Sequence, residues 1–316
     1  MPRHGSITKP IFIPKNAEIC RASTEAEPVA PLNSHLTSLM VAKSAKLRAG
    51  PISCYQRSST PLLLHITSNS HDISSNNPFT MANNPFISIR KYIKWGDGPA
   101  GENTDTLVLT SAAKYFVDVR IFLPTSTTPP TNTIESLEWG FAGTAESTPA
   151  QGERPAHTEW SHWVDSKTTE EVKDEGDMYP QENGEVLEYG SMVNPAKGVV
   201  EKYEECWVDL SPRVIPPENG FISWVMKCED VERGVKGMVI RIGECIQGVL
   251  RKGDEVSVGR WIWSEEDGWR KAVDIGGFGT EVPSKVLRID ADMKLGDKKK
   301  GGGGLEWECV EAFGWG

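Results

Sequence analysis

Long apolar runs are what this 316-residue sequence most lacks. The longest apolar patch in its first 80 residues, Leu62-Leu63-Leu64 beside Pro61, is far too short for a signal-peptide core or a membrane span, which needs about 20 residues. Paired cysteine spacing is missing too. The six cysteines, at 20, 54, 206, 228, 245 and 309, form no CxxC, which argues against a zinc knuckle and against a disulfide framework and suits a reducing compartment. Positive charge is short: 34 Lys and Arg stand against 44 Asp and Glu. Residues 81 to 316 hold 26 of the former and 40 of the latter, so no nucleic-acid partner is expected, because phosphate binding requires clustered Lys and Arg. Lys298-Lys299-Lys300 is the only dense basic run; with Gly301 to Gly304 after it, it reads as a solvated, flexible loop between two strands. The strand, glycine loop and helix order of a phosphate-cradling motif is not there.

Tryptophan is absent before Met81, although the chain has 11. The preceding stretch is rich in Ser, Pro, Asn and Thr and carries 8 basic against 4 acidic residues. With few aromatics and no sustained periodicity it has too little apolar surface to offset its ordering entropy, so residues 1–84 are expected to be a disordered leader or an upstream extension of the reading frame. Met81-Ala82-Asn83-Asn84-Pro85 would itself make a start. Mitochondrial targeting by the leader stays open, although Glu18, Glu25 and Glu27 break the acid-poor pattern of a transit peptide.

What is present is strand after strand. Phe86 to Ile89, Leu107 to Thr110 and Tyr115 to Phe122 come first, and the last alternates so that Phe116, Asp118, Arg120 and Phe122 share one face while Tyr115, Val117, Val119 and Ile121 share the other. Leu137 to Thr144 and Thr158 to Asp165 follow, then Phe221 to Met226, Gly237 to Ile242, Ile246 to Leu250, Gly259 to Trp263 and Trp269 to Val273. No window offers a long amphipathic helix with caps at both ends. Many short strands with turn chemistry between them predict all-β sandwich or barrel domains, and closure into barrels removes exposed edges.

The second half echoes the first. Lys202-Tyr203-Glu204-Glu205-Cys206-Trp207-Val208-Asp209-Leu210 returns in Gly304 to Phe313, and Val117-Asp118-Val119-Arg120-Ile121 returns in Met238-Val239-Ile240-Arg241-Ile242. A unit of about a hundred residues is too long for a solenoid and points to a duplicated domain. The Pro-rich stretch from Ser211 to Gly220 is the expected linker, dividing residues 85–212 from 213–316. Cys206 and Cys309, at matching places, read as small buried hydrophobes rather than a redox pair.

Leu137 to Thr144, Val239 to Leu250 and Gly304 to Glu308 together give a resemblance to a small fungal family, known for a yeast member that interacts with a casein-kinase-1-type (Hrr) protein kinase. It covers roughly residues 86 to 316. The resemblance implies two tandem lipocalin-like antiparallel β-barrels, a cytoplasmic and also nuclear location, an interaction role, no assigned chemistry and no cofactor.

Candidate sites follow from these readings. An eight-stranded barrel can enclose a small molecule, with Arg120 and Trp139 as lining candidates in the first repeat and Arg241 and Trp261 in the second. The competing reading pairs the arginine with an internal acid such as Asp118 or Glu138 and leaves the tryptophans as core. His157 and His162, with Glu159 and Asp165 nearby, offer metal-ligand types, but positions five apart on a strand face opposite ways, so no metal site is expected. No nucleophile-elbow pattern appears, and no enzyme is expected. The expected function is a non-enzymatic interaction module, a partner or substrate of such a kinase, with Ser211 as phosphoacceptor after Glu204, Glu205 and Asp209. The alternative is an intracellular carrier of a small apolar or acidic ligand.

Overall fold

The computed structural model describes residues 84–125, 132–283 and 293–316. These lie in one compact unit. The expectations for residues 1–83, including leader, start and targeting, fall outside the described residues.

Eight strands come first: β1 (Phe86–Trp95), β2 (Thr104–Thr110), β3 (Tyr115–Phe122), β4 (Leu137–Thr148), β5 (Ala156–Asp165), β6 (Val172–Pro180), β7 (Glu185–Asn194) and β8 (Val199–Leu210). Each pairs antiparallel with the next, and β8 returns to β1, closing a barrel. The remaining strands are β9 (Phe221–Asp230), β10 (Val235–Ile242), β11 (Cys245–Lys252), β12 (Glu255–Ser264), β13 (Gly268–Ile275), β14 (Lys298–Lys300) and β15 (Glu306–Trp315). They form a seven-stranded antiparallel sheet in the order β13-β12-β11-β10-β9-β15-β14, with a one-turn helix α1 (Phe278–Glu281) after β13. No helix among the described residues is long and apolar enough to cross a membrane.

The period-2 pattern of β3 explains how barrel and sheet meet. Phe116, Asp118 and Arg120 turn into the barrel, whereas Val117, Val119 and Ile121 turn out and are buried in one apolar cluster with Leu107, Leu109 and Ala142 and with Met238, Ile240, Ile242, Val249 and Val258 of the second sheet. Each Val, Leu, Ile or Met side chain among these contributes roughly 1.5–3 kcal/mol when fully buried. Two polar residues cross this apolar layer. Gln247 Nε2 donates to the carbonyls of Leu107 and Val117 at 2.7 and 3.0 Å, and Arg260 donates to Val119 O at 2.9 Å and to Asp105 Oδ1 at 2.8 Å. The other face of the second sheet carries a separate core of Trp224, Trp261, Trp307, Phe278, Leu250 and Met226, with Trp307 Nε1 donating to the carbonyl of Glu281 in α1 at 3.0 Å.

The sequence echo survives in one half only. Lys202 to Leu210 lies in β8 and its counterpart in β15, and each is a last strand paired with the first of its sheet, β1 and β9. The Arg-bearing echo does not coincide, because Val117 to Ile121 lies in the third strand of the barrel and Met238 to Ile242 in the second strand of the sheet. Five residues of aliphatics alternating around an arginine suit any strand with one apolar and one polar face, and so carry no register.

The Lys298 to Gly304 segment is also not the flexible loop its composition predicts. Lys298–Lys300 pairs as β14 with β15, and Lys298 Nζ meets Glu306 at 2.8 Å and Glu308 at 3.7 Å. The glycines permit close approach: a Cβ at Gly301 would stand 2.0 Å from the carbonyl oxygen of Glu281 and one at Gly302 would stand 2.1 Å from that of Thr280. The run is a packing device against α1. The segment from Ser211 to Gly220, a linker by composition, is anchored as well, since Arg213 N donates to Glu244 Oε2 at 2.7 Å and Ile215 is buried.

Candidate functional site

The barrel interior is lined by polar residues that alternation delivers from β1, β2, β3, β5, β7 and β8. From β1, Arg90 Nη1 donates to Glu205 Oε1 at 2.5 Å, its Nε to Glu102 at 2.7 Å and its Nη2 to Thr104 at 3.1 Å. From β3, Arg120 holds Asp118 Oδ2 through Nε and Nη2 at 3.1 and 2.9 Å and stands 3.6 Å from Glu205. Its guanidinium lies 5.3 Å from the ring centres of both Trp139 and Phe141 on β4, a cation–π arrangement. Trp139 Nε1 donates to Asp165 Oδ1 at 2.9 Å, and the other oxygen of Asp165 meets His162 Nδ1 at 2.7 Å. The His162 ring stacks on Phe141. On the far side, Glu188 of β7 accepts from Tyr203 Oη and Trp207 Nε1 of β8, both at 2.8 Å. Gly190 makes room for this, since a Cβ there would come within 2.3 Å of Tyr203 Oη.

The acids inside differ in what surrounds them. Burial first, then the charges of Glu205 and Asp174, push the Glu188 carboxyl up to about 8. Burial also raises Glu205, although Arg120 and Arg90 pull it down. Burial pushes Asp165 up as well, but the bonds from His162, the Lys167 backbone and Trp139 outweigh it and hold that carboxyl below its usual range. Two buried polar atoms of this interior, Asp118 Oδ1 and His162 Nε2, have no hydrogen-bond partner.

Arg120 and Trp139 are therefore brought together, with the arginine spent on Asp118 and Glu205. Glu138 is turned to Lys167 instead, at 2.9 Å. Arg241 and Trp261 are buried on the face of the second sheet away from the barrel, but they serve different neighbours. Arg241 donates to Glu218 at 2.6 Å and to the Gly243 carbonyl at 3.0 Å and lies over Trp269, while Trp261 packs against Phe278. Ser211 is exposed. Of the acids before it, Glu205 is inside the barrel with Arg90, Asp209 accepts from Ser88 at 2.5 Å, and Glu204 accepts from Tyr92 at 2.9 Å. Strand parity thus removes Glu205 from any acidic signal that the linear sequence offers. Arg213 is held by Glu244 at 3.1 Å. His162 is interior and His157 exterior, the latter meeting Asp177 at 2.8 Å.

Arg90, Glu188, Glu205 and Gln247 were not legible as site residues, because a buried polar side chain and a solvated one leave the same mark in an alternating pattern. The four described cysteines, Cys206, Cys228, Cys245 and Cys309, are free and buried. Burial raises their thiols to about 11, 11, 12 and 11 respectively, which leaves none of these four a ready nucleophile.

The outer wall of β6, β7, β8 and β1 faces solvent. Asp177, Tyr189 and Glu204 lie in one cross-strand row, and Tyr179 meets Tyr189 edge to face with ring centres 5.4 Å apart. Tyr179 and Tyr189 are 42% and 40% exposed, and Val193 and Val200, paired across β7 and β8, are 56% and 71% exposed. Next to this wall, Glu146, Glu159 and Glu175 stand directly opposite one another across β4, β5 and β6. A separate cleft of about 480 Å³ runs between barrel and second sheet, lined by Leu137, Glu138, Lys167, Glu255 and Val256.

The comparisons with known proteins agree with this architecture. A crystal structure of an uncharacterized protein from Saccharomyces cerevisiae, YLR301w, is similar in fold, with a TM-score of 0.57 at 22% identity over 72% of this chain and 99% of that one. No curated protein matches the sequence. The family model described as Protein HRI1 matches residues 86–311, most of the chain, and the protein belongs to the HRI1 family.

Proposed function

We propose that this protein is a non-enzymatic protein-interaction module made of two tandem lipocalin-like units, and that its partner is a casein-kinase-1-type protein kinase in the cytoplasm and nucleus. The observation that carries the reading is how the interior groups are used. Arg90 and Arg120 are spent on Glu102, Asp118 and Glu205, and the face of the second sheet away from the barrel is packed with Trp224, Trp261, Trp307 and Phe278. Recognition is left to the outside, where the Tyr179 and Tyr189 wall supplies exposed aromatic surface with acids beside it. Similar strand order in barrel and sheet, each ending with its last strand on its first, supports the tandem reading. Ser211 is exposed enough to be an acceptor, but the acids before it are engaged, so docking rather than phosphorylation at Ser211 is the proposed role.

The test is a pull-down of such a kinase by the full chain, by Tyr179→Ala/Tyr189→Ala and by Ser211→Ala. Capture by wild type and Ser211→Ala, with loss in the tyrosine variant, is expected. No capture by wild type removes the reading.

The unpartnered Asp118 Oδ1 and His162 Nε2 favour a second reading, a carrier in which a small polar molecule bonds both atoms inside the barrel. The acids around them argue against an acidic ligand. Native mass spectrometry of protein from its own host, finding a bound mass lost in His162→Phe, would put this reading in place of the first.

A further inference from the structure

The three glutamates at 146, 159 and 175 share a row on the barrel wall, and like charges directly opposite across strands are destabilising. The neighbouring row places His157 opposite Asp177. From these pairs we infer a divalent transition-metal site, suited to Zn²⁺, with His157 Nε2 and the carboxylates of Glu159 and Glu175 as ligands and an open position for water.

Donor type, direction and spacing support it. One imidazole nitrogen and two carboxylates are the mixed nitrogen and oxygen set that zinc accepts. His157 Nδ1 is engaged by Asp177 Oδ1 at 2.8 Å, which orients the ring and leaves Nε2 toward Glu175 Oε2 at 3.8 Å. A metal-bound histidine characteristically has its other ring nitrogen held by a carboxylate in this way. The three ligand atoms lie within 4.8 Å of one another. Zinc bonds near 2.1 Å at tetrahedral angles place ligand atoms roughly 3.4 Å apart, so closure needs only small rotamer changes. The side chains have that freedom, being 35% (His157), 46% (Glu159) and 71% (Glu175) exposed. Lys173, 3.6 Å from Glu159, is the one cation meeting these ligands among the described residues, and at 71% exposure it is free to swing away. His162, on the opposite face of β5, takes no part.

The site is independent of the kinase reading. The experiment is isothermal titration of the chelator-treated full chain with Zn²⁺ alone, on wild type, His157→Ala, Glu159→Gln/Glu175→Gln and Asp177→Asn, with the imidazole resonance of His157 followed by NMR. Wild type is expected to bind one zinc that perturbs the His157 resonance. His157→Ala should lose that site, the double glutamine variant should weaken it at least 10-fold, and Asp177→Asn should weaken it about 10-fold through ring orientation. No binding by wild type, or equal affinity and stoichiometry in wild type and His157→Ala, as chelation by cysteines or other histidines would give, overturns the site.

Discussion

Arg260 Nε donates to Gln247 Oε1 at 2.7 Å, deep between barrel and second sheet. Arginine can only donate, so this bond fixes which end of the amide is oxygen and turns Nε2 to the carbonyls of Leu107 and Val117. The pair is a polar bolt through an apolar layer, and each member is costly to orphan.

Removing either one should therefore be worse than half of removing both. Gln247→Leu is expected to lose about 2–3 kcal/mol by leaving a buried guanidinium N–H without an acceptor, and Arg260→Leu a similar amount. The double variant should be less destabilised than the sum by about 1–2 kcal/mol. Urea unfolding of the four proteins measures this, and strict additivity would rule the bolt out.

Stability should carry a signature of Glu188. Its folded-state carboxyl is raised to about 8 by burial and neighbouring negative charge, above its ordinary value. The folded state thus holds a proton that the unfolded chain releases earlier, so this contribution is complete below about pH 4.5 and is lost as pH rises through about 8. Glu188→Gln, which cannot ionise, should flatten the fall in Tm across pH 5 to 8 relative to wild type. Parallel Tm profiles would contradict the assignment.

Cysteine accessibility gives a third check. Cys206, Cys228, Cys245 and Cys309 are free and buried with raised thiols, so they should react with a disulfide reagent only on unfolding. Denatured, non-reduced protein should titrate six thiols. Rapid labelling of any of the four in the folded chain, mapped by mass spectrometry, would count against the burial described.

Gly301 separates packing from flexibility. Gly301→Ala would drive a Cβ against the Glu281 carbonyl, which cannot yield as a side-chain tip can, and should cost about 1–3 kcal/mol. Lys298→Ala, at an exposed and solvent-screened ion pair, should leave the urea unfolding midpoint nearly unchanged. Equal, negligible effects would restore the loop reading.

Much of the fold is visible in the chain without coordinates. Strand content, the two faces of Tyr115 to Phe122 and the last-strand echo of Lys202 to Leu210 in Gly304 to Phe313 follow from side-chain period and turn chemistry, which are local. β6 is not visible, because it buries only Gly176 and its other positions are polar or partly solvated. Period two states that Phe116, Asp118 and Arg120 share a face. It does not state that this face meets Glu205, 85 positions away from Arg120, or that Val117 and Val119 meet the second sheet. Those meetings depend on barrel closure and on the packing of one sheet on another, which are long-range contacts. Tertiary structure alone therefore decided that the arginines are neutralised inside, that Glu205 is withdrawn from Ser211, and that His157 stands outside beside two glutamates.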